Sequence, residues 1–105
     1  MIKIIESVDQ FTAEKAWGAL DIAAIEGATV RVHWTDEPYF WHQNDGAEVF
    51  LVLTGKVTMR YRIDGIEHSV VLNPFDVFCA DVGDEHIAEP EGPARILVVE
   101  KRGSI

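Results

Sequence analysis

Apolar and polar residues alternate with a period of two along much of this chain. The clearest stretch is 56–62, where Val57, Met59 and Tyr61 fall on one face and Lys56, Thr58, Arg60 and Arg62 on the other. A half-buried strand has this pattern, because successive side chains point to opposite faces of a sheet. Comparable runs cover 28–34, 39–44, 47–53, 66–72, 76–80, 86–88 and 94–100, with less regular ones at 2–5 and 20–25. Turn signals stand between them: Thr35-Asp36-Glu37-Pro38, Asp45-Gly46, Thr54-Gly55 and Asp64-Gly65, the last a strong hairpin signal. Ser7-Val8-Asp9-Gln10 can open a helix, so a short helix or turn is expected over 9–15. Nine or ten short, closely spaced strands predict an all-β sandwich or barrel.

The run Val49-Phe50-Leu51-Val52-Leu53 is apolar at every position. One face then belongs inside a barrel and the other against a second sheet or a partner subunit. A homodimer is expected on this ground, with residues 2–5 pairing along the partner's sheet edge.

Composition narrows the partners. A length of 105 residues with 48% hydrophobic and 26% charged content fits one globular domain. The formal net charge of −9, with no basic stretch, argues against nucleic acid. No apolar run approaches the roughly 18 residues of a membrane span, and the opening Met1-Ile2-Lys3-Ile4-Ile5-Glu6 is broken by charge, so a cytoplasmic protein is expected. Cys79 is the only cysteine, which precludes an internal disulfide; its apolar neighbours Val77, Phe78 and Ala80 predict a buried, inert thiol.

The chemistry concentrates in two segments, H-Q-N-D-G-A-E from His42 to Glu48 and G-D-E-H from Gly83 to His86. His42 and Asn44 share a strand face, and the Asp45-Gly46 turn returns Glu48 to the same end. If the barrel closes, His86 joins them. Two imidazoles and one carboxylate suffice for a three-ligand transition-metal site. Without a metal, the same groups form a buried cluster in which a protonated histidine pairs with Glu48, or histidines satisfied by Asn44, Gln43 or water. His33 and His68 are expected at exposed strand positions. Gln43, Phe40, Phe50, Val52, Met59 and Phe78 are the candidate pocket wall or floor. Trp17, Trp34, Trp41 and Tyr39 are candidates too, although aromatics in a small β protein are mostly core.

These residues resemble the two motifs of small single-domain cupins. The first motif, G-x5-H-x-H-x3/4-E-x6-G, is kept at His42, Glu48 and Gly55, with Asp36 for its first Gly and Asn44 for its second His. The second, G-x5-P-x-G-x2-H-x3-N, is kept at Gly83 and His86, with Phe75, Asp81 and Pro90 as departures. Phe75 is a poor residue for a positive-φ turn, so the turn at Pro74-Phe75 is expected to differ from the usual one. Phe40-Trp41-His42, residues 48–55 and Leu72-Asn73-Pro74-Phe75-Asp76 resemble compact cupins likened to phosphomannose isomerase domains.

The resemblance implies a double-stranded β-helix (jelly-roll) barrel over about 17–101, within a single domain spanning 1–105 and carrying a short N-terminal extension. It implies His42, Glu48 and His86 as ligands of one divalent metal (iron, zinc, nickel or manganese), with Asn44 as a weaker fourth donor and no nucleotide cofactor. The implied function is isomerase- or dioxygenase-like chemistry on a small polar metabolite. The alternative is a non-catalytic barrel that binds or senses such a metabolite through a degenerate metal site.

Overall fold

In the computed structural model, which describes residues 1–104, nine strands form two facing antiparallel sheets. The strands are β1 (Gly18–Ile25), β2 (Ala28–Thr35), β3 (His42–Gln43), β4 (Glu48–Thr54), β5 (Val57–Ile63), β6 (Ile66–Leu72), β7 (Val77–Ala80), β8 (Glu85–Pro90) and β9 (Ala94–Lys101). One sheet has the order β1-β2-β9-β4-β7 and the other β3-β8-β5-β6. Apart from the β1–β2 and β5–β6 hairpins, consecutive strands cross between the sheets, as in a jelly roll. Among the described residues, no helix is long and apolar enough to cross a membrane.

The period-two pattern sets the packing. Val57 and Met59 point inward and are fully buried, against Ala88 of β8, while Arg60 and Arg62 point outward. Phe50, Val52, Ile96 and Val98 close the core from the other sheet. Outside, Arg62 and Arg60 lie over the Trp41 ring at 3.8 and 5.5 Å and pair with Glu85, Glu67 and Glu89. The Asp64-Gly65 hairpin takes positive φ at both residues, as a type I′ turn requires. Gly55 is needed for space as well as for its φ of +81°: an added Cβ would lie 2.5 Å from the Pro93 carbonyl.

Several expectations are refined or overturned. Within this chain residues 2–5 pair with no strand; Lys3 donates to the Ile22 carbonyl, leaving the N-terminal arm beside the edge strand β1. The short helix or turn expected over 9–15 is a single 3-10 turn at Val8–Gln10. Cys79 is exposed, because β7 is an edge strand whose inward positions are Phe78 and Ala80. Within this chain β4 is buried on its inner face only: Val49 on the outer face is 38% exposed. Phe75 keeps a φ of 75°, so the Asn73–Asp76 turn, closed by Asp76 N–H to Asn73 O at 2.9 Å, has positive φ at its third residue as type II turns do.

Candidate metal centre and ligand cavity

The site forms where the ends of both sheets meet. His42 and His86 are directly paired across β3 and β8, with ring centroids 4.4 Å apart. Glu48, the first residue of β4, reaches them from the opposite sheet. One ligand atom from each of His42, Glu48 and His86 lies within 4.8 Å of the others. The Asp45-Gly46 turn is anchored by Asn44, whose N–H donates to Asp84 O and whose carbonyl accepts from Gly83 N–H, both at 2.8 Å. These two bonds lock the loop carrying His42 to the loop carrying His86.

Hydrogen bonds orient the rings. His42 Nδ1 lies 3.0 Å from the Phe40 carbonyl, which holds the proton there and leaves Nε2 with a lone pair. His86 Nε2 lies 2.6 Å from Asn44 Oδ1 and 3.2 Å from Glu48 Oε1. Asn44 Nδ2 donates to Gly46 O at 3.2 Å, so its amide oxygen is the end aimed into the site. Glu48 Oε1 and His86 Nδ1 are buried and have no hydrogen-bond partner. Ligands on one ion at about 2.0–2.2 Å lie roughly 3–4 Å apart, so closing these three onto a metal takes about 1 Å of side-chain movement. The donor set fits a divalent transition metal, with Asn44 Oδ1 adjacent as a neutral oxygen donor.

A second carboxyl lies beside the first. Glu100 of β9 is directly opposite Glu48 across the ladder. Burial, then the charge and close approach of Glu48, push the Glu100 carboxyl up to about 7. Burial acts to raise Glu48 as well, but the contact with His86 and its charge, with the neighbouring Glu100 and Asn44 side chains, outweigh it and hold Glu48 below the usual carboxylate range. Burial lowers the His33 imidazole below its usual range, despite its bond to the Trp17 carbonyl.

A cavity of about 270 Å³ opens from this cluster, lined by Trp17, Tyr39 and Phe50 as well as Arg31, His33 and Glu100. Of the expected wall residues, Phe50 lines it. Val52 and Met59 lie instead in the core between the sheets. Phe78 packs on that core and against His86 at 5.4 Å. Gln43 faces away from His42 and donates to the Gly83 carbonyl at 3.2 Å. Phe40 is half exposed and stacks on Tyr39 at 4.3 Å. His33, expected at an exposed position, is a cavity wall, whereas His68 is exposed and stacks on Tyr61. Arg31 and Glu100 went unrecognised. Their signal was alternation: Glu100 shares a strand face with Ile96 and Val98, and Arg31 shares one with His33.

No family model matches the chain, and no curated protein matches it in sequence. Solved structures do. A cupin-2 domain protein from Shewanella frigidimarina is 22% identical, covers 86% of this chain and 85% of its own, and has a TM-score of 0.75. A cupin superfamily protein from Desulfitobacterium hafniense is 12% identical, with coverage of 96% and 92% and a TM-score of 0.77. A hydroquinone 1,2-dioxygenase in complex with Fe3+ is 14% identical over 86% of this chain but only 29% of its own, with a TM-score of 0.74. Likeness at these identities concerns the fold, and it agrees with the strand order: this chain has the double-stranded β-helix fold of a small cupin.

Proposed function

We propose that this protein is a metal-dependent enzyme of the oxygenase type, acting on a small organic molecule in the cavity beside His42, Glu48 and His86. The observation that carries the reading is the convergence of two imidazoles and a carboxylate, with Glu48 Oε1 buried without a hydrogen bond 3.2 Å from His86 Nε2. Two histidines and one carboxylate with open positions suit non-haem iron. The similar fold of the Fe3+-bound hydroquinone 1,2-dioxygenase supports the same choice. When bound, the metal would supply Lewis-acid or redox chemistry at the cavity floor. The residues of the chain do the rest. His42 is held by the Phe40 carbonyl in the tautomer that offers Nε2, Trp17 and Tyr39 form an apolar wall, and Glu100 holds a proton beside Glu48. We further infer a single domain that works as a cytoplasmic homodimer, its contact surface drawn from the apolar outer face at Val49 and Val77.

One observation favours a second reading. If the His86 Nε2–H donates to Asn44 Oδ1, that nitrogen has no lone pair for a metal. The cavity then binds its ligand through hydrogen bonds alone. Elemental analysis decides between the two, using untagged protein beside the His42→Ala, His86→Ala double variant. Near-stoichiometric metal in the parent and its loss in the variant is the expected result. Little metal in the parent, even after anaerobic reconstitution with Fe(II), would overturn the enzyme reading and leave the binding one.

A further inference from the structure

Arg31 is a charged residue on the inner face of a sheet. Across the ladders it stands opposite Val98 of β9, which itself stands opposite Phe50 of β4, so the guanidinium rises from an otherwise apolar row. Arginines are rarely directed inward unless paired. Here the pairing is slight: the Arg31 side chain is 37% exposed and its Nε lies 3.2 Å from Asp21 Oδ1, but that carboxylate is 88% exposed, and such surface pairs contribute little. The same Nε is buried and makes no hydrogen bond. Arg31 is also the one Lys or Arg among the described residues lining the cavity.

The surroundings limit what this guanidinium can receive. At about 270 Å³ the cavity is at the small end of ligand pockets, which run roughly 300–1,000 Å³, so it suits a molecule of one ring. The Trp17 indole N–H is already given to the Glu37 carbonyl at 3.0 Å, and the Trp17 carbonyl is taken by His33. Trp17 therefore offers ring surface, set edge-on to Tyr39 at 5.2 Å, and the corner between them accepts a flat body. A carboxylate matches the planar fork of a guanidinium with two parallel hydrogen bonds, which a neutral amide cannot reproduce.

We propose that Arg31 determines the specificity of the cavity, and that its ligand is a compact organic acid whose planar body lies against Trp17 and Tyr39 while its carboxylate pairs with the Arg31 guanidinium. This names the substrate class of the site proposed above and rests on that reading. Glu48 and Glu100 also face the cavity and oppose an anion, so a divalent metal beside them strengthens the binding.

Benzoate and its neutral isostere benzamide test the proposal by isothermal titration against the parent, Arg31→Lys and Arg31→Gln. Metal content and thermal melts are measured on the same samples. The parent is expected to bind benzoate about tenfold or more tighter than benzamide. Arg31→Lys keeps part of the preference and Arg31→Gln abolishes it, with both variants folded. Asp21→Asn, which frees the guanidinium on its solvent side, keeps or increases the preference. Equal binding of the two probes by the parent, no saturable benzoate binding at millimolar concentration, or an undiminished preference in Arg31→Gln would overturn it. Metal retained without benzoate preference removes the acid-binding inference alone. Benzoate preference without metal removes the metal reading alone.

Discussion

Glu48 and Glu100 stand directly opposite one another across the β4–β9 ladder, with Glu48 in contact with His86. Two carboxylates so placed resist ionising together, and the structure divides them unequally: Glu48 is held ionised by His86, and Glu100 retains its proton up to about 7. In the unfolded chain Glu100 returns to its ordinary value of 4.5. Between those values the unfolded state has lost the proton that the folded state keeps, so stability falls as pH rises through the window. Glu48 acts in the opposite sense, contributing stability that is lost on acidification below the usual carboxylate range. Glu100→Gln keeps a hydrogen-bond donor without the titration. In chelator-treated protein it should be more stable than the parent at pH 8 by about 1 kcal/mol, after discounting for partial exposure of the group, and should match it at pH 4.5. Thermal melts at the two pH values check this. An equal difference at both would mean that Glu100 holds no proton in that window.

On the metal-dependent reading proposed above, Asn44 sets which metals the site prefers. Its amide oxygen, 2.6 Å from His86 Nε2, occupies the place where a second motif histidine would stand. Replacing this hard, neutral oxygen by imidazole in Asn44→His should raise Zn(II) affinity by about tenfold or more in competition with a chromophoric chelator. Asn44→Ala should instead lower folding stability by about 1–3 kcal/mol, because His86 Nε2 loses its acceptor in a buried position. Unchanged Zn(II) affinity in Asn44→His would show that residue 44 faces no metal.

Local pattern made most of the strands legible, and motif spacing made His42, Glu48 and His86 legible. Strand β6 runs from Ile66 to Leu72 as the alternation predicts, and β5 buries the face carrying Val57 and Met59. The misses have a common origin in contacts between distant segments. Glu100 and Arg31 become site residues only through the β2–β9–β4 register, which no local window contains. Cys79 lies in an apolar run, yet β7 is an edge strand and one of its faces is left to solvent. Gln43, a candidate for the pocket wall, follows His42 on the strand and so points to the opposite face, where its side chain turns to Gly83.

Gly55 should be among the least replaceable residues. Its φ of +81° disfavours any side chain, and a Cβ there would lie 2.5 Å from Pro93 O and 3.0 Å from Ala94 Cα, at the entry to β9. Gly55→Ala is expected to destabilise by more than about 2 kcal/mol, lowering Tm by roughly 8–16 °C. Gly65, also at positive φ but with open space around it, supplies the control: Gly65→Ala incurs only the backbone cost of about 1–2 kcal/mol and should lower Tm less. Comparable losses in both variants would place the cost in backbone conformation and not in the contact with β9.

Phe75 carries the opposite expectation. It holds a φ of 75° in the turn after Pro74, and the residue is 78% exposed, so little packing offsets the conformational cost. A left-handed conformation costs a residue with a Cβ about 1–2 kcal/mol, whereas glycine adopts it freely but loses about 0.5–1 kcal/mol more chain entropy on folding. Phe75→Gly should therefore stabilise the protein by about 0.5–1 kcal/mol in urea denaturation. Phe75→Ala separates the backbone from the ring, because it removes the ring but keeps the Cβ. If the backbone strain is real, Ala gains nothing and Gly does. Equal gains in both variants would trace the effect to the exposed ring and leave the φ of 75° without energetic consequence.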